Sequence, residues 1–345
     1  SFPYSNAGFG LLYPGESAEC LLEGLQLVFE HIGGVPRKIW FDNASSIVSK
    51  IREDGTRVCT ELFLRFKNHY NFDVAFCNPS AGNEKGNVEN KVGYIRRNMF
   101  VPAPEFLDVE AFNRQQMKRC EEDMQRQHYQ KNKSIAELFA EEKALLLPLP
   151  TTRFEVCRYV SAKADACGKI RLDVDRVYST SPSLAGSSVT VKITAHRIHI
   201  LDAEMKEIVE HKRLYGNQHE RMCWLPYLSQ LSKKPGALKY TPVYEMLPQN
   251  LQECLKAVSK SDCGKILKTL SDLTKRHGFR SAMAAMSKAI EVGVTDSDSI
   301  VATFNRLNSI ELNLKPVGLP ESIPEIPPVT SSATDYDSLL KGGDQ

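Results

Sequence analysis

Between residues 16 and 99 helical and strand spacings alternate, and that alternation restricts the fold of this chain more than any other feature. From Glu16 to Gly33 the apolar residues Leu21, Leu22, Leu25, Val28, Phe29 and Ile32 recur at helical spacing. Gly33-Gly34 fits a helix C-cap, and Val35-Pro36 a turn. Lys38-Ile39-Trp40-Phe41 then has the pattern of a short buried strand, which stops at Asp42. A second helix is predicted over Glu61–Tyr70, a second strand over Phe72–Cys77 closed by Asn78-Pro79, and a helix from about Lys85 to Asn98. Such alternation predicts an α/β layer fold with part of the sheet parallel.

Further along, the texture changes twice. Residues 105–150 are rich in Glu, Gln, Lys and Leu and predict a helical connector ending in a Leu147-Pro148-Leu149-Pro150 linker. Residues 151–215 carry short period-2 runs, at 154–156, 169–174, 188–193, 199–201 and 208–209, which predict a small β-barrel or barrel-like sheet. Helical patterns return over 216–315, with a break at Lys233-Lys234-Pro235-Gly236. The end, 316–345, is Pro-rich and then acidic, and is expected to be extended or disordered. A first unit over 1–104, this connector, the barrel, the helical region and the tail make up the expected organisation, which suits a chain of 345 residues.

Composition narrows the setting. No apolar run approaches the length of about 18 residues that a membrane span needs, and the N-terminus has no basic region followed by an apolar core. The nine cysteines form no C-x-x-C pair and are odd in number, which argues against a zinc knuckle or a disulfide framework and for reduced thiols in the cytoplasm. Net charge is only +2, but residues 151–315 hold 25 basic against 17 acidic side chains, and the last thirty hold 1 against 5. A basic back half points to a polyanionic partner.

Asp42 at a strand end and Glu89, 47 positions on in a helical pattern, are the carboxylates of interest. Open α/β sheets place ligands at the C-terminal ends of their strands. Two carboxylates on rigid elements are what a pair of Mg²⁺ ions requires to clamp an in-line phosphoryl transfer. Lys85, Arg96 and Arg97 share the helix with Glu89 and could reach phosphate oxygens. On spacing alone, however, an Asp after a strand is more often a turn or cap residue, and a Glu on a helix more often a solvated one. His196 and His199, three apart in a strand pattern, are expected to point to opposite faces and to be barrel residues rather than metal ligands.

The wording around these carboxylates resembles a known family. Gly33-Gly34-Val35-Pro36-Arg37-Lys38-Ile39-Trp40-Phe41-Asp42-Asn43, with Asn78-Pro79 and Lys85-Gly86-Asn87-Val88-Glu89, is similar to the catalytic core of bacterial insertion-sequence transposases of the IstA type. These belong to the DDE superfamily, with the retroviral integrases. Tyr178-Ser179, Gly186–Val191, Glu210-His211-Lys212-Arg213 and Lys234–Leu238 extend the likeness through the barrel into the helical region.

The resemblance implies an RNase H-like core whose three acidic residues bind two divalent ions, Mg²⁺ or Mn²⁺. Asp42 matches the second Asp and Glu89 the Glu, with Glu84, expected in the loop before the helix, as the rival. The first Asp belongs on a preceding strand. No Asp occurs from Ser1 to Phe41, so the chain is expected to be N-terminally truncated and, alone, to bind metal weakly and transfer no strand. The family's activity is cutting and joining transposon ends by Mg²⁺-dependent phosphoryl transfer. The alternative is a non-catalytic DNA-binding or regulatory fragment of such an enzyme. Phosphate contacts are expected from Lys85, Lys91, Arg96 and Arg97 near the site, and from Lys192, Arg197, Lys212 and Arg213 in the barrel. The implied partners are double-stranded DNA (transposon ends and target), further copies of the chain in a synapse, and an AAA+ ATPase helper of the IstB type. The implied location is the bacterial cytoplasm, at the nucleoid.

Overall fold

The computed structural model describes residues 1–308 apart from 54, 78–81, 107, 174, 234 and 237–241; for 82–89, 242 and 243 it gives the backbone course only. The predicted Asn78-Pro79 turn and the tail over 316–345 lie outside the described residues.

Helix α1 (Ala18–Ile32) starts where the Ser17 hydroxyl accepts from the Cys20 N–H, and it ends at Gly33, whose φ of 77° closes the helix through a bond to the Phe29 carbonyl. Strand β1 (Lys38–Phe41) follows, then a hairpin of β2 (Val48–Ile51) and β3 (Arg57–Cys59), helix α2 (Glu61–Tyr70) and strand β4 (Asp73–Phe76). β1 and β4 pair in parallel, Lys38 opposite Asp73 through to Phe41 opposite Phe76. The mixed α/β class predicted from the sequence is therefore present. Phe29, Phe63 and Phe66 surround Phe72 with ring centroids 6.0 to 6.5 Å away, so α1 and α2 share one aromatic core with the strands.

Helix α3 (Gly82–Met99) begins three residues earlier than predicted, so Glu84 lies within it rather than in a preceding loop. It packs on the N-terminal segment at two glycines. A Cβ on Gly8 would come within 2.7 Å of Lys91, and one on Gly10 within 2.8 Å of Ile95. The connector is two helices, α4 (Val109–Asp123) and α5 (Ile135–Lys143), the second opened by a Ser134–Glu137 capping box.

Strands β5 (Arg158–Lys163), β6 (Lys169–Leu172), β7 (Arg176–Ser179), β8 (Ser188–Ile193), β9 (Arg197–Leu201), β10 (Glu207–Lys212) and β11 (Glu220–Arg221) form the second region. The predicted barrel requires correction. Among the described residues the ladders do not close: one sheet runs β10-β9-β8-β5 and a second β11-β7-β6. The Asp165 carboxylate accepts from the Cys167 and Lys169 N–H groups, turning the chain out of the ladder between β5 and β6. The two sheets meet instead through side chains, with Ile170, Tyr178, Val191, Ile193, Ile198 and Ile200 buried in one core. The expected strand at 154–156 is irregular, and its Phe154 and Val156 join the core of the first region.

Helices α6 (Leu225–Lys233), α7 (Pro242–Glu245), α8 (Gln249–Ala257), α9 (Lys260–His277), α10 (Phe279–Glu291) and α11 (Ser297–Asn308) complete the described chain around a core of their own that includes Tyr227, Leu251, Leu267 and Met286. The Tyr227 hydroxyl donates to the carbonyls of Cys167 and Gly168, 2.9 Å away in each case, and so ties this bundle to the turn before β6. None of the nine cysteines is in a disulfide. Among the described residues no helix is long and apolar enough to cross a membrane.

Candidate active site and nucleic-acid interface

Parallel pairing brings the C-terminal ends of β1 and β4 to one edge. The Cys77 N–H donates to the Phe41 carbonyl at 3.0 Å, which places exposed Asp42 directly beyond the last rung of the ladder. This is the edge where an open α/β sheet holds ligands. Arg57, from the hairpin, braces it. Its guanidinium donates to the Asn43 side-chain oxygen at 3.2 Å and to the Cys77 carbonyl at 3.1 Å, and the Asn43 amide donates to the same carbonyl at 3.3 Å. The backbone on either side of Asp42 is thus fixed by hydrogen bonds while the carboxylate remains in solvent. Sequence reasoning missed Arg57; the polar texture of the hairpin carries no signal that one of its cations turns inward.

Helix α3 starts six positions after Phe76, the last residue of β4, and carries Lys85 and Glu89 in its first half; the structure gives no side-chain position for either. Its second half is described. Arg96 and Arg97 are exposed in the last turn. Lys91 is not. It is 8% exposed and its ammonium donates to the Asn6 carbonyl at 2.6 Å, so it holds the N-terminal segment on α3. Burial, with Arg126 nearby, pulls its pKa below the usual lysine range.

The four cations expected in the sheet region divide in a similar way. The side chain of Arg213 is only 6% exposed and reaches Glu19 on α1 at 3.1 Å. Arg158 meets the other Glu19 oxygen at 2.7 Å. Glu19 itself is 1% exposed. Burial alone would raise its pKa, but hydrogen bonds from Ser17 and Arg213 outweigh that and hold it below the usual carboxylate range. Arg213 therefore fastens the sheet to α1 and is not a surface cation. Lys192 pairs with Glu155, and Arg197 with Glu210, on the solvent face of the first sheet. Only Lys212 of the four is exposed without an ion pair among the described residues.

The same face holds His199, whose Nδ1 lies 2.7 Å from Glu207 and 3.7 Å from Glu210. A bulge between Glu207 and Val209 brings both carboxylates to one side. With Arg197 also on Glu210, the group is a surface ion network of both signs. His196 is separate, as expected. It lies in the turn before β9, stacks on Tyr13 and contacts Glu23 of α1 at 3.1 Å. That bond to Glu23, working against burial, raises the His196 pKa. A cleft of about 900 Å³ opens beside it between α1, α4 and the 194–199 turn, and its walls include Glu23, Arg114 and Phe154 but no residue of β1 or β4. Asp42 does not line this cleft.

Residues 149–223 match the family model described as "Mu transposase, C-terminal domain", a span that takes in both sheets. Over 339 residues the chain is 26% identical to a transposase for insertion sequences IS1326/IS1353 from Pseudomonas aeruginosa, covering 96% of this chain and 66% of that protein. It is 27% identical over 346 residues to a transposase from Aminobacter aminovorans, 98% of this chain and 68% of that one. The transposase for insertion sequence element IS21, from Pseudomonas aeruginosa, is 30% identical over 216 residues, 61% of this chain and 51% of its own length. The chain is a homologue of insertion-sequence transposases, as its motifs imply, and it spans about two thirds of the length of the first two relatives.

Proposed function

We propose that this chain supplies the phosphoryl-transfer core and the DNA-gripping back half of an insertion-sequence transposase, acting on transposon ends and target DNA. The observation that carries the reading is the position of Asp42: exposed beyond the end of β1, at the ligand-binding edge of a parallel pair, in a chain homologous to such transposases over nearly its whole length. The parallel pair, covered by α1 and α2 and followed by α3, supports an RNase H-like core over 1–104. A connector at 105–150, a sheet unit at 151–215, a helical unit at 216–315 and a tail at 316–345 complete the proposed division.

Asp42 fits a hard divalent cation. It offers carboxylate oxygens that no cation occupies among the described residues, and oxygen donors suit Mg²⁺ or Mn²⁺. Asp42 and Glu89 would hold such ions, which when bound neutralise charge on a transferring phosphoryl group. The chain's own contribution is positioning. Arg57 and Asn43 tie the two strand ends together beside Asp42 through the Cys77 carbonyl, and exposed Arg96, Arg97 and Lys212 offer cations to the DNA backbone. Assembly of several copies on paired ends, an AAA+ ATPase helper and a place at the bacterial nucleoid belong to the same reading.

Transposition by the gene that encodes this chain tests it. Outer-shell partners of a metal typically cost 10–100-fold, so Asp42→Asn and Glu89→Gln, as direct ligands, should each lower the frequency by about 100-fold or more. Glu84→Gln should leave it near the native level, and Asp42→Asn should melt with the native protein. Native transposition by Asp42→Asn would overturn the assignment.

A further inference from the structure

Four of the cations that a DNA-binding back half should display are not available or not free: Arg158 and Arg213 are committed to Glu19, Lys192 to Glu155 and Arg197 to Glu210. Residues 225–308 hold 12 basic against 7 acidic side chains. Helix α9 turns Cys263, Ile266, Leu267, Leu270 and Leu273 into the bundle core, which fixes its opposite face in solvent. On that face and at the following corner stand Lys268, Lys275, Arg276 and Arg280, all exposed, and none has a carboxylate partner among the described residues. Neighbouring Lys265 and Lys288, by contrast, pair with Asp262 and Glu291.

Helix stability does not account for the whole set. Lys275 and Arg276 in the last turn of α9 suit its macrodipole, but Lys268 is mid-helix. Arg280 sits in the first turn of α10, where a cation opposes the dipole, and no acidic residue is there to offset it. Unpaired cations that do not serve their own helices await an external anion. From Lys268 to Arg276 the helix rises about 12 Å, a length over which duplex DNA presents about three phosphates on each strand.

We propose that the exposed face of α9 and the α9–α10 corner, through Lys268, Lys275, Arg276 and Arg280, bind the phosphate backbone of double-stranded DNA without reading its sequence. This rests on the transposase reading for the choice of DNA as polyanion, and it adds a contact in the helical bundle to the exposed cations of the sheet.

The test is the salt dependence of binding of the whole chain to a short duplex of unrelated sequence, from about 50 to 200 mM salt. Each phosphate contact contributes about 0.9 to the log–log slope, so the triple variant Lys275→Ala/Arg276→Ala/Arg280→Ala should flatten it by between about two and three. Asp272→Lys, which adds a cation to the same exposed face, should steepen it by up to about one and tighten binding. That gain keeps the proposal testable if the triple variant folds poorly. A triple variant that melts like the native chain and keeps its slope defeats this inference while leaving the transposase reading intact. Absence of duplex binding by the native chain defeats both. Tighter binding of single-stranded RNA than of duplex, lost in the same triple variant, would assign the surface to RNA and overturn the proposal.

Discussion

The sheet region and the helical bundle that follows it carry similar numbers of cations but use them in different ways. In the sheet, Arg158 and Arg213 reach back to a carboxylate buried on α1, and Lys192 and Arg197 are paired on its solvent face. The bundle is held by apolar packing, and several of its cations face water unpaired. A basic segment is thus weak grounds for a nucleic-acid surface until the partners of its charges are known. In the sheet region some cations are taken up by the fold, while Lys163, Arg171, Lys206 and Lys212 stay exposed without an ion pair among the described residues.

The most severe way to break this contrast is Glu19→Ala. It leaves the Arg213 guanidinium buried without its carboxylate, which should cost about 3–5 kcal/mol, seen as a lower midpoint in denaturant together with easier proteolysis between α1 and β5. A loss below about 1 kcal/mol would mean that the sheet is not held by this charge. The bundle should answer to volume instead. Leu267→Ala, at a fully buried site of α9, should cost about 2–5 kcal/mol, with little dependence on salt or pH.

The smallest effect is expected at His196, and it sharpens the contrast through its sign. Its pKa is raised in the folded chain by Glu23, so the stabilisation is complete below the unfolded value of about 6.5 and fades as pH rises through the folded value. His196→Gln should therefore melt below the native protein in acid and converge with it in alkali. Buried His211, whose Nε2 bonds the Ser179 carbonyl, is held neutral by burial and has a lowered pKa. Its contribution to stability is present above about pH 6.5 and is lost as pH falls below that.

What could be seen in the sequence was local. Helix α1, strand β1 and helix α2 lie where their periodicity places them, because each is a single amphipathic or apolar run. Asp42 was legible for the same reason, as the first polar residue after an apolar strand. The barrel was overdrawn because period-2 runs specify strands but not which edges pair, and the turn at Asp165 that separates the sheets is one short polar loop among several. Glu19 was invisible as a site. In the first turn of a helix an acid is what the dipole favours anyway, and its true partners lie 139 and 194 residues away in sequence. Arg213 and Lys91 were misplaced for the complementary reason, since a cation's burial depends on a distant carboxylate or carbonyl that no local pattern announces.

The most direct measurement is lysine reactivity toward a small acylating reagent, read by mass spectrometry with and without a DNA duplex. Lys268 and Lys275 should lose reactivity on DNA binding while Lys192, paired with Glu155, does not change. Protection of Lys192 with Lys268 and Lys275 unaffected would contradict the proposed bundle contact, and would return the DNA to the sheet.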